Sequence, residues 1–303
     1  MSKVLVIGSK GFIGSCLVHY LKNNMHLEVF EADILADNNS PSYFRILNLE
    51  SDIRHIFNNF KFSFCINCSG AASVPQSLVN PAKDFKSNVG VVVQLLESIR
   101  LFNPTCKLIN LSSAAVYGNP IENPIAETTV TKPLSPYGFH KLIAEKLLEE
   151  YSLIFGLKTC SLRIFSAYGE GLRKQIFWDV YKLSKENPRV INFFGTGKET
   201  RDYIHVIDIV KCIATILFSD EVVFNASIIN IGNGVQISLQ EVVNKMLLTL
   251  NYKGEVHFTG QNREGDPLYW QADIGKIAQL GYIQSIGFDE GVKRYVEWVR
   301  NCE

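Results

Sequence analysis

The chain has 303 residues, of which 47% are hydrophobic and 20% charged, a composition typical of folded globular proteins. Thirty Lys and Arg residues balance thirty Asp and Glu residues, and no basic run is interleaved with aromatics, which argues against nucleic-acid binding and favours small-molecule partners. No stretch approaches the roughly 18 apolar residues that cross a bilayer, and the apolar run before Gly8 is too short for a secretory signal, so we expect a cytoplasmic protein without a membrane role.

Short apolar runs alternate with longer segments of helical periodicity along the first half of the chain. Strands are predicted at 4–7, 28–32, 64–68, 107–112 and 158–165, and helices near 12–24, 82–101 and 137–155. This alternation predicts an α/β fold with a doubly wound parallel sheet, the Rossmann architecture. After about residue 168 frequent glycines separate shorter elements, which indicates a smaller C-terminal α/β region.

The seven cysteines are odd in number and scattered. Cys65 and Cys68 form the only C-x-x-C pair, and they end an apolar run instead of opening a helix. We therefore expect buried structural thiols in a reducing compartment, with no metal site.

A glycine-rich segment, GSKGFIG at 8–14, joins the first predicted strand to the first helix. The motif has glycines at three positions, Gly8, Gly11 and Gly14. Their lack of side chains allows a tight turn, close backbone approach to a pyrophosphate and close helix packing. The helix opens with Phe12 and Ile13, and its N-terminus faces the anion. The motif in this position predicts dinucleotide binding.

Asp33 ends the second predicted strand and is placed to accept hydrogen bonds from both hydroxyls of an adenosine ribose. A carboxylate here repels a 2′-phosphate, so NAD is favoured over NADP. Lys10, inside the glycine loop, leaves NADP open, because it can reach a 2′-phosphate; alternatively it is a solvated loop lysine.

Tyr137 and Lys141 are four residues apart at the start of a predicted helix and share one face. A nearby ammonium stabilises a phenolate, so we expect Lys141 to lower the pKa of Tyr137 from about 10 and make it a general base. Ser113, at the end of a predicted strand, is placed to hold the hydroxyl from which Tyr137 removes a proton. Taken alone, each residue also fits a simpler interpretation: packing at a helix start for Tyr137, a solvated side chain for Lys141 and turn formation for Ser113.

The motifs of nearly the whole chain resemble, in order, those of an extended short-chain dehydrogenase/reductase of the NAD-dependent sugar-nucleotide epimerase/dehydratase type, similar to UDP-glucose 4-epimerase. The matching segments are GSKGFIG (8–14), NCSGAASVPQS (67–77), NLSSAAVYG (110–118), PYGFHK (136–141), SLRIFSAYGEG (161–171), RDYIHVIDIV (201–210), NIGNG (230–234) and REGDPLYWQAD (263–273).

The resemblance implies roles for individual residues. Ser113, Tyr137 and Lys141 would form the catalytic triad, with Tyr137 as acid/base. Tyr137 and Lys141 would both also contact NAD, Lys141 at the nicotinamide ribose. The remaining implied NAD contacts are Gly8, Lys10, Gly11, Phe12, Ile13, Gly14, Asp33, Asn48 and Leu49. The implied contacts to a nucleoside-diphosphate sugar are Ser73, Ser113, Ser166, Phe194 at the nucleobase, and Arg201 and Arg263 at the diphosphate.

The resemblance also implies how the chain is organised and assembled. Residues 1–168 plus about 203–230 would bind NAD, and 169–202 plus 231–303 would bind the sugar nucleotide. Relatives commonly dimerise through the helices that correspond to 82–101 and 137–155, so we expect a homodimer.

Three departures from the family pattern bear on the reaction. Ala114 and Ala115 stand where dehydrating relatives carry Asp-Glu, and methyl groups transfer no protons, so a 4,6-dehydratase is disfavoured. Ser166 replaces a common substrate-binding Asn, and Glu170 replaces a proline. The segment GLRKQIFWDVYK (171–182) is also unusual: Arg173, Lys174 and Trp178 either adapt the pocket to an uncommon sugar or base or, for Trp178, serve core packing.

Three functions follow from these observations. The leading prediction is an epimerase that oxidises C4 of a nucleoside-diphosphate hexose reversibly through a 4-keto intermediate. The alternative is an NAD(P)H-dependent reductase of a 4-keto-6-deoxy sugar nucleotide, which would use the same three residues. A third is a non-catalytic dinucleotide-binding regulator, which the retention of Ser113, Tyr137 and Lys141 together disfavours.

Overall fold

The computed structural model describes residues 2–37, 40–46, 52–219, 224–261 and 268–302. Its strands, in chain order, are Lys3–Ile7 (β1), Glu28–Asp33 (β2), Tyr43–Arg45 (β3), Phe64–Asn67 (β4), Lys107–Ser113 (β5), Thr159–Ile164 (β6), Ser166–Tyr168 (β7), Val190–Phe193 (β8), Thr200–Arg201 (β9), Tyr203–His205 (β10), Ser227–Ile231 (β11), Ile237–Ser238 (β12) and Glu255–Phe258 (β13).

The helices follow the strands in the predicted alternation. They are Phe12–Asn24 (α1), Arg54–Asn59 (α2), Val74–Val79 (α3), Pro81–Phe85 (α4), Val91–Phe102 (α5), Pro136–Phe155 (α6), Gln175–Glu186 (α7), Val206–Phe218 (α8), Leu239–Leu250 (α9), Gly275–Gln279 (α10) and Phe288–Asn301 (α11). A π-helical turn, Lys86–Gly90, joins α4 to α5, and a 3₁₀ turn, Ala114–Val116, follows β5.

Seven parallel strands form the large sheet, in the order β11-β6-β5-β4-β1-β2-β3. The chain builds outward from β1 to β3 and then returns to the other side of β1 with β4, so the order reverses between β1 and β4. Crevices at such a reversal, beyond the carboxyl ends of the strands, are where open α/β sheets bind ligands. The predicted doubly wound fold is confirmed.

Alternating side chains of β1 show why the sheet carries helices on both faces. Val4 and Val6 belong to the apolar layer shared with α1 and α8, whereas Leu5 and Ile7 belong to the layer shared with α5 and α6. A strand buried on both faces requires a continuous apolar run, which is the VLVI pattern of the sequence.

The long helix α6 has clear sequence signals at both ends. The Ser135 hydroxyl accepts a hydrogen bond from the Gly138 backbone N–H at 3.3 Å, and Pro136 occupies the first turn, where its missing N–H costs nothing. Gly156 ends the helix with φ of 68°, a left-handed conformation that favours glycine. These signals fix the position of Tyr137 at the first turn.

The remaining strands pair two by two, as β7 with β10, β9 with β12 and β8 with β13. Aromatic rings fill much of the space around them: Tyr168 stacks on Phe177 with ring centroids 4.7 Å apart, and Phe177 packs edge-on against Tyr295. This is the smaller region that the glycine-punctuated sequence predicts.

The thiols depart from expectation at one position. All seven cysteines are unpaired; Cys65, Cys106, Cys160 and Cys212 are buried, and Cys16 and Cys68 partly so. Cys302 is exposed because it follows the last turn of α11, so the prediction of buried thiols is wrong there. No cluster of three or more His, Cys, Asp or Glu side chains able to hold a metal occurs among the described residues. Within the same ranges, every helix is too short or too polar to span a bilayer.

Candidate active site

The glycine loop between β1 and α1 is built on close backbone contacts. Gly8 has φ of 76°, and a Cβ there would lie 2.6 Å from the Ser69 backbone nitrogen. A Cβ on Gly14 would lie 2.1 Å from the Gly8 carbonyl oxygen. No side chain caps the N-terminus of α1, and its first turn contains no acidic residue. The backbone N–H groups of the loop itself, from Gly8 to Gly11, donate to acceptors within the chain. The N–H groups of the first turn of α1 are therefore the ones available for an anion such as a pyrophosphate.

Asp33 lies at the carboxyl end of β2 next to this loop, as predicted. Its carboxylate accepts hydrogen bonds from the backbone N–H groups of Lys10, at 2.8 Å, and Leu35, at 3.1 Å. A carboxylate offers about four acceptor positions, so two remain for ribose hydroxyls.

Lys10 is held by acidic neighbours. Its ammonium lies 3.3 Å from a carboxylate oxygen of Glu31, hydrogen-bonds Asp37, and is 5.0 Å from the ring centroid of Tyr43. The hydrogen bond to Asp37 outweighs partial burial and raises the pKa of Lys10. Its charge is neutralised within the chain, and the surrounding carboxylates disfavour a 2′-phosphate, which supports the NAD interpretation over the NADP alternative.

The fold brings Ser113, Tyr137 and Lys141 together at the carboxyl edge of the sheet. Ser113 is the last residue of β5, and its hydroxyl accepts a hydrogen bond from the Ala115 N–H at 3.2 Å and lies near the Tyr137 phenol. Lys141 Nζ lies 5.9 Å from the centroid of the Tyr137 ring and donates to the Leu111 carbonyl oxygen at 2.9 Å. The predicted neighbourhood of all three side chains is present.

The expectation that Lys141 lowers the pKa of Tyr137 is wrong for the chain by itself. Burial raises the pKa of Tyr137 to about 12, although the nearby Ser113 hydroxyl opposes this rise. Burial also lowers the pKa of Lys141 to about 8, against the attraction of Asp84. The Lys141 ammonium is turned toward Leu111, so loss of water around the phenol dominates.

Sequence reasoning missed three polar residues beside this group. Asp84 is buried, and one of its carboxylate oxygens lies 2.5 Å from His140 Nδ1. The Asn88 side-chain oxygen is buried without a hydrogen-bond partner among the described residues. A Cβ on Gly70 would lie 2.5 Å from that oxygen and 3.5 Å from Lys141 Nζ, so Gly70 allows Asn88 and Lys141 to converge. Asn88 lies in the π-helical turn, a local irregularity frequent at functional sites that periodicity does not reveal.

The predicted substrate contacts are distributed over both regions. Ser73 caps α3, accepting from the Gln76 N–H at 3.3 Å, and Ser166 opens β7 directly after the large sheet. Phe194 is 52% exposed, so it does not serve core packing. Arg201 lies in β9 with its guanidinium carbon 5.7 Å from the Trp270 ring centroid and donates to the Thr200 carbonyl at 2.9 Å.

Trp270 links Arg201 to the edge of the large sheet. Its ring packs against Phe165, which follows β6, with centroids 6.0 Å apart, and its indole N–H donates to the Gly118 carbonyl at 2.9 Å. Three predicted contacts, Asn48, Leu49 and Arg263, lie outside the described residues.

A sequence profile of the NAD-dependent epimerase/dehydratase family matches residues 4–232. The chain belongs to this family. It is 29% identical to a putative UDP-glucose 4-epimerase of Methanocaldococcus jannaschii, with 98% of each chain covered. It is 27% identical to the CDP-paratose 2-epimerase of Salmonella typhi, again over 98% of each. Among solved structures, UDP-glucose 4-epimerase of Thermus thermophilus in complex with NAD superposes with a TM-score of 0.87 at 28% identity, covering 99% of this chain and 100% of that one.

Two departures from the epimerase/dehydratase family pattern have a structural counterpart. Ala114 is fully buried and Ala115 partly so, which leaves the turn after Ser113 without a proton-transferring side chain. Glu170, in place of a proline, lies 2.9 Å from Nε2 of buried His205. Burial pushes the pKa of Glu170 upward, but contact with His205 and backbone hydrogen bonds outweigh it, so the pKa lies below its ordinary value. Glu170 therefore ties the loop after β7 to β10.

Proposed function

We propose that this protein is an NAD-dependent epimerase of a nucleoside-diphosphate sugar, which inverts C4 through a 4-keto intermediate. The convergence of Ser113, Tyr137 and Lys141 beside the glycine loop carries the proposal. The kinds of molecule bound or converted by relatives support a nucleotide sugar as substrate and NAD as cofactor.

The glycine loop and Asp33 fit NAD. Gly8 and Gly14 have no side chains, so the backbone of the loop packs closely beside the N-terminus of α1. This N-terminus would face the pyrophosphate. Asp33 would hold the adenosine ribose and Lys141 the nicotinamide ribose. Bound NAD would take a hydride from C4 of the sugar and later return it. We further propose that residues 1–168 plus about 203–230 hold the cofactor, and 169–202 plus 231–303 the sugar nucleotide.

In this mechanism Tyr137 transfers the proton at the sugar C4 oxygen. Its phenolate removes the hydroxyl proton as C4 is oxidised, and its phenol returns the proton when the opposite face is reduced. Ser113 would hydrogen-bond the same sugar oxygen. Because burial holds the pKa of Tyr137 near 12, we infer that charge brought by the bound cofactor is needed to form the phenolate near neutral pH.

Arg201 and Phe194 would position the nucleotide. A guanidinium donates through a planar fork that matches phosphate oxygens, so Arg201 suits the diphosphate, together with Arg263. The exposed ring of Phe194 would stack on the nucleobase.

The first test is to denature the purified protein, identify any dinucleotide released, and assay C4 epimerisation of UDP-sugars. Stoichiometric NAD together with epimerisation is the expected result, because an epimerase must keep its hydride carrier through the cycle. A protein that holds no dinucleotide and binds NADPH more tightly than NADH would refute the epimerase and favour a reductase.

We also propose a homodimer in the cytoplasm. Apolar side chains are exposed along α4 to α6, namely Phe85, Val93, Phe139 and Ile143, between 36% and 52%. Burial of such a face between two copies is favourable. Light scattering should give the mass of a dimer, and Phe139→Glu with Ile143→Glu should give a monomer; a monomeric unaltered protein would contradict this assembly. The free thiols fit the reducing cytoplasm.

A further inference from the structure

Lys174 crosses from the smaller region to the large sheet. It is the N-cap residue of α7, and its ammonium donates to the Ala72 carbonyl oxygen at 3.3 Å. Ala72 belongs to the loop after β4, which also contains Gly70, the residue beside Lys141 and Asn88. The Lys174 side chain therefore reaches the loop that adjoins Lys141 and Asn88.

The Lys174 ammonium has no negatively charged partner among the described residues. A carbonyl oxygen is its one hydrogen-bond acceptor in those ranges, whereas Lys10 and Lys22 both contact carboxylates. Much of the side chain faces solvent, but protein atoms crowd the ammonium and lower its pKa. Its charge also helps to lower the pKa of Lys141, after the larger effect of burial. Two ammonium groups thus border one crevice, an arrangement that an anion between them would stabilise.

The backbone next to Lys174 is strained. Gln175 has φ of 64°, a left-handed conformation that costs a non-glycine residue roughly 1 kcal/mol or more. Such strain persists where the surroundings hold a residue in place, and here it accompanies a lysine that leaves its helix to cross the crevice.

We propose that Lys174 binds a carboxylate carried by the hexose, so that the preferred substrate is a nucleoside-diphosphate hexuronic acid. The inference rests on the proposed epimerase function and narrows its substrate class. The sugar is the part of the substrate that must reach Tyr137, and the Lys174 contact at Ala72 is next to the loop residues that adjoin Lys141. The proposed diphosphate ligand Arg201 lies instead beside Trp270, so the diphosphate does not require Lys174.

The test compares two substrates that differ at C6, UDP-glucuronate and UDP-glucose, on the NAD-loaded protein. We expect calorimetry to show tighter binding of the acid, and epimerisation assays to show a higher kcat/KM for it. Lys174→Met should reduce the preference for the acid by about 30-fold, the loss expected for one charge-assisted hydrogen bond. Lys174→Arg should retain most of the preference, because it retains the charge.

Lys182→Met is the matched control, since Lys182 lies on the same helix, is exposed and pairs only weakly with Glu186 at 3.9 Å. It should leave the preference unchanged. Equal binding of both sugars by the unaltered protein, or an equal loss for both in Lys174→Met, would overturn the inference and leave the epimerase proposal standing. Binding and turnover of neither sugar would overturn both together.

Discussion

The large parallel sheet and the smaller region place their candidate functional side chains by different means. In the sheet, Gly8, Asp33 and Ser113 come from distant parts of the chain, yet all lie at the carboxyl edge because parallel strands end on the same side. In the smaller region, Lys174 and Arg201 are placed by a helix cap and a two-residue strand. Topology thus places the residues proposed for catalysis, whereas local packing places those proposed to select the substrate.

The largest expected effects are a loss of catalysis at Tyr137 and a loss of substrate binding at Arg201. Tyr137→Phe should lower kcat by about 10²- to 10⁴-fold and leave NAD bound, because the phenol transfers the proton but is not needed to hold the cofactor. Arg201→Met should instead raise KM, by about 10- to 100-fold, as a charged contact to the diphosphate is lost. Steady-state kinetics distinguish the two.

Tyr252→Phe is the control, since the Tyr252 hydroxyl donates to the Asn187 carbonyl at 2.7 Å away from the proposed site. Unchanged kcat in Tyr137→Phe would contradict the acid/base role. A fall in kcat alone for Arg201→Met would contradict the division between the two regions.

Substitution of two glycines should destabilise the large-sheet region and the smaller region separately. Gly14→Ala should destabilise the protein by about 3 kcal/mol or more and abolish NAD retention, since its Cβ would lie 2.1 Å from the rigid Gly8 carbonyl. Gly291→Ala, whose Cβ would lie 2.2 Å from the Tyr168 hydroxyl, should destabilise by about 1–3 kcal/mol and retain NAD.

Denaturant unfolding and dinucleotide analysis report the two effects. Gly90→Ala is the control, because among the described residues no atom outside its chain neighbours and its own helix backbone lies within 4 Å of its Cβ position. A helical Gly→Ala change gains about 0.5–1 kcal/mol. Loss of NAD in Gly291→Ala would show that cofactor binding depends on both regions equally.

The pKa of Lys141, lowered to about 8 by burial, predicts a pH dependence that belongs to the sheet region. In the unfolded chain the pKa of Lys141 returns to about 10.5. Between about pH 8 and pH 10.5 the Lys141 amine is therefore protonated in the unfolded chain but neutral in the folded one, so the free energy of unfolding rises with pH. From about pH 7.5 to 9.5 the free energy of unfolding should rise by about 2 kcal/mol more in the unaltered protein than in Lys141→Met.

Lys146→Met, an exposed position on the same helix, should follow the unaltered protein. The free energy of unfolding is measured by denaturant unfolding at several pH values in this range. Taking the difference between each variant and the unaltered protein cancels the contribution of other titrating groups. Parallel curves for Lys141→Met and the unaltered protein would show that Lys141 is not desolvated.

The smallest effects concern helix caps. Ser135→Ala at α6 and Ser238→Ala at α9 each remove a capping hydroxyl and should each cost about 1 kcal/mol. Because α6 carries Tyr137 and Lys141, the first should also lower kcat, whereas the second should not. Equal kinetic effects would mean that the two regions are more tightly coupled than their separate cores indicate.

Sequence patterns predicted the sheet region well because apolar periodicity and glycine spacing are local. The predicted strands and helices up to residue 165 were confirmed, and Ser113, Tyr137 and Lys141 converge as expected. The pKa of Tyr137 was mispredicted, because spacing shows that Lys141 is near but not that its ammonium turns to Leu111 or that burial dominates. Asn88 was not singled out, because its placement depends on a π-helical turn. Lys174 was singled out only as one of three residues that either adapt the pocket or have another role, because its contact with Ala72 lies across 102 residues of sequence and leaves no local signal.

The π-helical turn at Lys86–Gly90 has a consequence for how this chain can vary. Such a turn contains one residue more than an α-helix needs, so it is equivalent to a single inserted residue. Deleting one residue within it would replace the wide turn by a regular helical turn, with little rotation of α4 relative to α5. The residues of the turn itself would move, and Asn88 would no longer face Gly70, so a one-codon deletion here should be far more damaging than a substitution at the exposed Lys86.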